Sequence, residues 1–186
     1  MTEQHTIPGK VVRFAHRTGL TLAALVTIAA VGAQAASVCF EAESYNQIKA
    51  PFKVGLSANA SGGKCVYQPL GTGRPPTVKC YAIYHFRVTT PGRYIVWGRG
   101  LWPSGCGNSF DVKIDSHAPA TIGQDGTYNR WHWVRIRGMS FTLSKGVHTF
   151  TLMNREDGPG MDEFYLTTED EVPVGIIHQT ANVIVR

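Results

Sequence analysis

Apolar and polar residues alternate in short runs along most of the chain. In residues 81–88, for example, apolar side chains occupy every second position. Because side chains point to alternate faces of a strand, this period of two predicts a half-buried β-strand. Comparable runs predict strands at 38–43, 64–68, 81–89, 93–98, 109–114, 131–137, 140–143, 147–153 and 163–167, with turn residues between them. No segment after residue 35 has a helical pattern, so we expect an all-β fold, an antiparallel β-sandwich.

The first 35 residues have a different pattern, which is typical of a secretory signal peptide. Lys10, Arg13 and Arg17 precede an apolar run at 20–32, and Ala33-Gln34-Ala35 fits a small-x-small cleavage site. A retained membrane anchor is the alternative, but the run is shorter than the roughly 20 apolar residues that span a bilayer. We therefore expect residues 36–186 to be exported, extracellular or periplasmic, and free of the membrane after signal removal.

The charge of the chain favours no nucleic-acid partner. The full chain has 18 basic and 13 acidic residues, a formal charge of +5; removing Lys10, Arg13, Arg17 and Glu3 leaves 15 and 12, or +3. The remaining basic residues are scattered and form no run that could follow a phosphate backbone.

Four cysteines, Cys39, Cys65, Cys80 and Cys106, lie in the part that we expect to be exported. An even number of cysteines in an exported chain predicts two disulfides, and their spacing fits no zinc motif. The sequence leaves the three possible pairings open.

Two carboxylates, Glu41 and Glu43, are one residue apart near the start of the expected domain, and Asp162 follows about 120 residues later. On a strand, Glu41 and Glu43 would point to the same face. If the first and last strands are neighbours, Asp162 could complete an oxygen-only site of the kind that Ca²⁺ prefers. The alternative is that both glutamates lie on a solvated edge strand.

Several motifs resemble, in their order and spacing, the family 6 and family 35 carbohydrate-binding modules. They include Glu41-Ala42-Glu43, Ser61-Gly62-Gly63-Lys64-Cys65-Val66, Pro91-Gly92-Arg93-Tyr94, Trp131-His132-Trp133 and Met161-Asp162-Glu163-Phe164. The resemblance covers roughly residues 38–172 and implies a jelly-roll β-sandwich of the galactose-binding-like type. The domain would then occupy 36–172, followed by an apolar tail at 173–186.

The resemblance also implies two sites. A structural calcium ion would be held by Glu41, Glu43, a carbonyl near Lys64, and Asp162. A poly- or oligosaccharide would bind where an aromatic ring stacks on a pyranose and polar groups reach its hydroxyls; the candidates are Trp102, Trp131, Asn108, Arg99 and Arg155. Related modules often have an Asn at the position of Met161, whose side chain makes no strong hydrogen bonds. Either the specificity differs or sugar binding has been lost.

No nucleophile–base pair or open metal motif is present, so we expect no enzymatic activity. The sequence therefore indicates an exported, non-catalytic carbohydrate-binding module-like protein with structural calcium. An alternative arises from the tail, which is rich in β-branched residues. It could pair with a neighbouring copy and make the protein a homo-polymer, a fibre or surface-layer subunit, or it could pack on its own sandwich.

Overall fold

A computed structural model of the protein describes residues 35–178 and residue 184. The expected signal peptide lies outside these residues apart from Ala35. The described residues all belong to one compact unit, Gln34–Arg186. Its strands are β1 (Ser37–Glu41), β2 (Gln47–Lys49), β3 (Lys53–Leu56), β4 (Lys64–Tyr67), β5 (Tyr81–Val88), β6 (Gly92–Leu101), β7 (Ser109–Ile114), β8 (Ala120–Gly123), β9 (His132–Arg135), β10 (Phe141–Leu143), β11 (Gly146–Asn154) and β12 (Gly160–Thr167).

These strands form two antiparallel sheets, which confirms the predicted fold class. The seven-stranded sheet has the order β10-β6-β12-β4-β3, with β1 also paired to β12 and β9 to β6. The five-stranded sheet has the order β2-β5-β11-β7-β8. A short 3-10 turn, Ser61–Gly63, precedes β4. None of the described residues forms a helix that could traverse a lipid bilayer.

All nine predicted strands are present, with boundaries that differ by a few residues. Three further strands were not predicted: β2, β3 and β8. Each of them lies at an edge of its sheet and has only three or four residues. Because edge strands bury little surface, their sequences carry a weak alternating pattern.

Aromatic side chains fill the space between the two sheets. Phe40 of β1, Tyr84 of β5, Phe150 of β11 and Phe164 of β12 are all fully buried. The Phe150 and Phe164 ring centroids are 4.5 Å apart, and the Tyr84 hydroxyl donates a hydrogen bond to the Ala42 carbonyl at 2.8 Å. The strand faces that the alternation predicted to be buried therefore lie in the core.

Strand β12 contains a bulge at Asp162. Met161 and Phe164 both belong to the core although they are three residues apart. Regular alternation would send one of them outward, and the register with β6 accordingly shifts between Met161 and Glu163. The bulge sets Asp162 beside the start of the domain, where its carbonyl accepts a hydrogen bond from Ala42 N at 2.7 Å.

The described part of the C-terminal tail contacts its own sandwich, in line with one of the two alternatives. Gly175 O accepts a hydrogen bond from Trp133 Nε1 at 2.8 Å, and Ile177 O accepts one from Cys39 Sγ at 3.1 Å. Ile184 N donates to His85 O at 3.0 Å. Residues 179–183, 185 and 186 lie outside the described part.

Among residues 35–178, the structure contains none of the predicted disulfides. Cys65, Cys80 and Cys106 have free thiols, and Cys39 is engaged in hydrogen bonds. The reason is the position of the four residues: Cys39 and Cys65 lie on β1 and β4 of the seven-stranded sheet, Cys80 precedes β5 of the other sheet, and Cys106 lies in an exposed loop. An even count of cysteines does not place them in pairs.

Candidate calcium site and saccharide cleft

Carboxylates from the two ends of the domain meet at the 3-10 turn. Ser61 N donates to both oxygens of Asp162, at 2.9 and 3.1 Å, and Ser61 Oγ donates to Glu41 Oε1 at 2.7 Å. Glu41 ends β1, which pairs with β12, and Glu43 follows two residues later. The pairing of the first and last strands therefore brings these side chains together, which is the condition for a metal site that they share.

The pKa values of these groups show a concentration of negative charge. Burial, followed by the charges of Glu41 and Asp162, raises the pKa of Glu43 to about 7. Burial and the same two charges raise the pKa of Glu163 to about 8. The pKa values of Glu41 and Asp162 are also raised, mainly because of burial. A cation bound here would offset the free-energy cost of keeping these buried carboxylates charged.

Arg99 supplies one positive charge to this cluster. Its guanidinium forms an ion pair with Asp162 and donates two hydrogen bonds of 3.2 Å to Asn59 O. The same group lies 5.6 Å from the ring centroid of Trp131. The structure thus places Arg99 between the carboxylates and an aromatic ring that was predicted to bind sugar.

Two carboxylate oxygens fit a bound cation. Glu41 Oε2 and Glu43 Oε2 are buried and have no hydrogen-bond partner. Such atoms are ligands that Ca²⁺ prefers. Lys64 begins β4 nearby, and its charge lowers the pKa of Glu43. As the side chains stand, no three His, Cys, Asp or Glu residues within 35–178 form a ready metal site, and Asp162 is already bonded to Arg99 and Ser61.

A second feature is a candidate saccharide cleft, called the saccharide cleft below, where Trp131 and Tyr67 both lie beside Gly160. A Cβ added to Gly160 would lie 3.5 Å from Trp131 Cη2 and 3.8 Å from Tyr67 Cβ. Both aromatic side chains are partly exposed, and Trp131 Nε1 donates to Ser57 Oγ at 3.1 Å. The adjoining surface is lined by Ser57, Asn59, Arg99, Leu101, Asn129 and Arg130. Two flanking rings with polar groups beside them are suited to stacking on a sugar.

Tyr67 was not predicted as a site residue. It ends β4 and is the register partner of Gly160 in β12, so only the strand pairing places it beside Trp131. Met161, where related modules often have an Asn, is fully buried in the core. It therefore contributes no group to the cleft, and the polar contacts would come from other residues.

The expectation that Trp102 is an exposed sugar-binding ring is wrong. Trp102 is 0% exposed, and its Nε1 donates to Asp125 Oδ1 at 3.1 Å. Strand β6 continues to Leu101, so the alternation carries Trp102 into the core. Gly100 makes room for the ring, because a Cβ there would lie 2.4 Å from Trp102 Cη2.

Asn108 and Arg155 belong to a hydrogen-bond network around Glu156. Asn108 N donates to Glu156 Oε2 at 2.7 Å, and Arg155 Nη1 donates to Glu156 Oε1 at 2.7 Å and to Ser109 Oγ at 2.7 Å. Asn108 is buried, and its Oδ1 has no partner. Neither residue is among those that line the saccharide cleft.

Comparison with known proteins identifies the fold. Neither a protein-family model nor a curated protein sequence matches the chain. Among solved structures, the C-terminal CBM6 of a laminarinase from Zobellia galactanivorans is 16% identical, with a TM-score of 0.51 over 70% of this chain and 98% of that one. The family 35 carbohydrate-binding module from Clostridium thermocellum is 15% identical, with a TM-score of 0.53 over 69% and 96%.

A larger protein contains a similar domain. The GH26-CBM35 β-(1,4)-mannanase of Podospora anserina is 16% identical, with a TM-score of 0.58 over 74% of this chain and 29% of that one. The structural neighbours are thus CBM6 and CBM35 modules, as the sequence resemblance implied, and the chain has their β-sandwich fold.

Proposed function

We propose that this chain is an exported, non-catalytic carbohydrate-binding module-like protein that binds a poly- or oligosaccharide between Tyr67 and Trp131. The observation that carries the proposal is the placement of these two aromatic residues beside Gly160. A Cβ added to Gly160 would lie 3.5 Å from Trp131 Cη2 and 3.8 Å from Tyr67 Cβ, so the missing side chain leaves space next to both residues. An aromatic ring gains free energy by covering the C–H face of a pyranose, and two rings can hold one sugar unit from both sides. The fold shared with carbohydrate-binding modules supports this function.

Polar groups for the sugar hydroxyls lie at the edge of the cleft. Asn59 and Asn129 offer amide donors and acceptors, and Arg130 offers guanidinium donors. All three are exposed. Because such a shallow site excludes little water, we expect affinities in the micromolar to millimolar range, about −8 to −4 kcal/mol.

A calcium ion is the second part of the proposal. Glu41, Glu43 and Asp162 would hold it, with a carbonyl near Lys64 as a further ligand. Bound there, the ion would supply the positive charge that links the end of β1 to β12. The two buried, unpartnered glutamate oxygens support this assignment. The role would be structural.

The test is retention of purified protein on glycan arrays, run with Ca²⁺ and with a chelator. We expect bound glycans whose signal is lost in Trp131→Ala and in Tyr67→Ala. Tyr81→Ala is the matched control, because Tyr81 is also partly buried but lies on the five-stranded sheet. The proposal fails if no glycan is retained, or if neither cleft variant weakens retention.

Export and lack of catalysis are tested separately. Protein recovered from the medium or periplasm should have an intact mass that matches a chain beginning near residue 36, after Ala35. Incubation with a retained glycan should release no reducing ends. Full-length protein retained in the cell, or steady release of sugar, would contradict these two parts of the proposal.

A self-assembling subunit is the second candidate function. Two apolar side chains of the tail, Val174 and Ile176, are 87% and 42% exposed, and Val172 just before the tail is 65% exposed. Exposed apolar rows favour contact with another protein surface. Light scattering should then show assemblies that disappear in Val174→Lys and persist in Leu56→Lys, which changes an exposed leucine on β3. Monomers at all concentrations would rule this candidate out.

A further inference from the structure

We propose that His132 is a positioning residue of the saccharide cleft, and that its protonation holds the Trp131 side of the cleft in place. The inference rests on the proposed function, because it concerns the same cleft. It assigns to the cleft a dependence on pH that is set by one partly buried histidine.

His132 lies behind the cleft, on the opposite side of its strand from Trp131. Val134 and Ile136 are buried in the core, so the alternation of β9 points His132 inward and Trp131 outward. The His132 ring meets the edge of Trp102, with centroids 5.9 Å apart and planes at 86°. The imidazole is therefore packed, with its side chain 14% exposed.

Both ring nitrogens of His132 face acceptors. Nε2 lies 2.7 Å from Asp125 Oδ2, and Nδ1 lies 3.0 Å from the Arg130 carbonyl oxygen. The other carboxylate oxygen, Asp125 Oδ1, accepts hydrogen bonds from Trp102 Nε1 at 3.1 Å and Thr127 N at 3.3 Å. A carbonyl and an ionised carboxylate can only accept. The two contacts can be hydrogen bonds at the same time only when both ring nitrogens carry a proton, that is, when His132 is an imidazolium.

The described contacts of His132 include one charged side chain. Asp125, from the loop before β9, is its ion-pair partner. The Arg130 backbone precedes it in the same loop, and the neutral Trp102 indole packs against it from the end of β6. Within the described residues, Asp125 is the one charged side chain bonded to the ring. Loss of the ring proton removes one of the two hydrogen bonds.

These bonds hold the segment that forms one side of the cleft. The Asp125–His132 contact joins residues seven positions apart, and the Arg130 contact fixes the backbone just before Trp131. Asn129 N donates to Trp102 O at 2.8 Å. Asn129, Arg130 and Trp131, which line the cleft, are thus attached at both ends, and freeing either end loosens all three.

The experiment measures glycan affinity at pH 6 and pH 8.5 for the wild-type protein, His132→Gln and His148→Gln. His148 is the matched control: Asp115 Oδ2 lies 2.6 Å from its Nδ1 and Ser144 O lies 2.8 Å from its Nε2, but it belongs to the five-stranded sheet. Histidines change charge between about pH 5 and 8. We expect about tenfold weaker binding at pH 8.5 for wild type and His148→Gln. His132→Gln should bind weakly at both pH values.

An equal pH dependence in wild type and His132→Gln, or none in wild type, would overturn the inference and leave the proposed function intact. The indole N–H resonance of Trp131 and the ring resonances of His132, followed by NMR in the wild-type protein, give a readout that needs no glycan and no variant. The two should titrate together. If no glycan binds at all, the proposed function fails, and an unmoved Trp131 resonance would then overturn the inference as well.

Discussion

Asp162 receives the backbone N–H of Ser61 on both of its carboxylate oxygens, at 2.9 and 3.1 Å. The contact spans 101 positions of sequence and joins the last strand to the turn that follows the first strands. Glu41 is tied to the same serine through its hydroxyl. A single turn therefore gathers the acidic side chains, and the energetic consequences of that clustering can be measured.

Removal of calcium should destabilise the protein. A cation bound to the folded state at 100 times its dissociation constant stabilises by about 2.7 kcal/mol. For a domain of this size, that predicts a loss of about 5–10 °C in melting temperature on adding a chelator. Asp162→Asn should melt lower and lose its response to the chelator, whereas the exposed control Asp170→Asn should keep it. Identical melting curves with and without chelator would count against the calcium site.

The calcium-free protein should lose stability as the pH rises. The pKa values of Glu43 and Glu163 are raised from 4.5 to about 7 and about 8 in the folded state. Between pH 4.5 and these folded-state values the folded state binds more protons than the unfolded state. The stability that the two groups contribute is therefore fully present below about pH 4.5 and is lost as the pH rises to about 8. Each unit of pKa difference corresponds to about 1.4 kcal/mol, an upper limit for a partly hydrated group.

Urea titrations of chelated protein at pH 5 and pH 8 check this prediction. Glu163→Gln removes one of the two groups, so its stability should depend less on pH than that of wild type. Glu169→Gln changes an exposed glutamate after β12 and should leave the dependence unchanged. A wild-type protein that is more stable at pH 8 than at pH 5 would contradict the raised pKa values.

Trp102 should matter for stability more than for binding. The side chain is fully buried and packs on Phe110, with ring centroids 6.0 Å apart. Truncation of a buried aromatic residue costs about 3–5 kcal/mol, so Trp102→Ala should unfold at much lower urea concentration than wild type. Trp131→Ala, at a partly exposed position, should change the midpoint little. Similar midpoints for the two variants would argue against the burial of Trp102.

The sequence predicted the strands of the core well, because burial of one face imposes a strict alternation on β5, β7 and β11. It could not predict the short edge strands β2, β3 and β8, which have only three or four residues each and carry little pattern. The convergence of Glu41 and Asp162 followed from the pairing of first and last strands. The ion pair of Asp162 with Arg99 could not be predicted in this way, because it depends on a bulge that no local sequence motif indicates.

The residues of the proposed saccharide cleft could also be predicted only in part from the sequence. Trp131 could be proposed from its sequence motif, whereas Tyr67 becomes a neighbour only through the register of β4 with β12. Trp102 was misplaced because it lies in a stretch rich in Gly, Pro and Ser, which is typical of an exposed loop. In the structure Gly100 makes room for its ring in the core. Side-chain placement of this kind depends on contacts between distant strands.

The thiols should differ strongly in reactivity. Cys106 is exposed, whereas Cys65 and Cys80 are buried and burial is the main cause that raises the pKa of each to about 11. Burial and the charge of Glu163 also raise the pKa of Cys39. Because the thiolate is the reactive form, a thiol reagent at pH 8 should modify Cys106 quickly and the other three only after unfolding. Fewer than four reactive thiols in unfolded, unreduced protein would show that disulfides form.

Gly160→Ala should separate saccharide binding from folding. Gly160 is buried beside Trp131 and Tyr67, and an added Cβ would meet its neighbours at ordinary contact distances of 3.5–3.9 Å. The fold should therefore accept the methyl group with less than about 1 kcal/mol of change, while the floor of the cleft rises and weakens binding. Gly105→Ala is the control, since its Cβ would lie 3.4 Å from Tyr128 Oη in another loop. Isothermal titration and thermal melts on both variants measure the two effects; unchanged affinity in a folded Gly160→Ala protein would show that the sugar binds elsewhere.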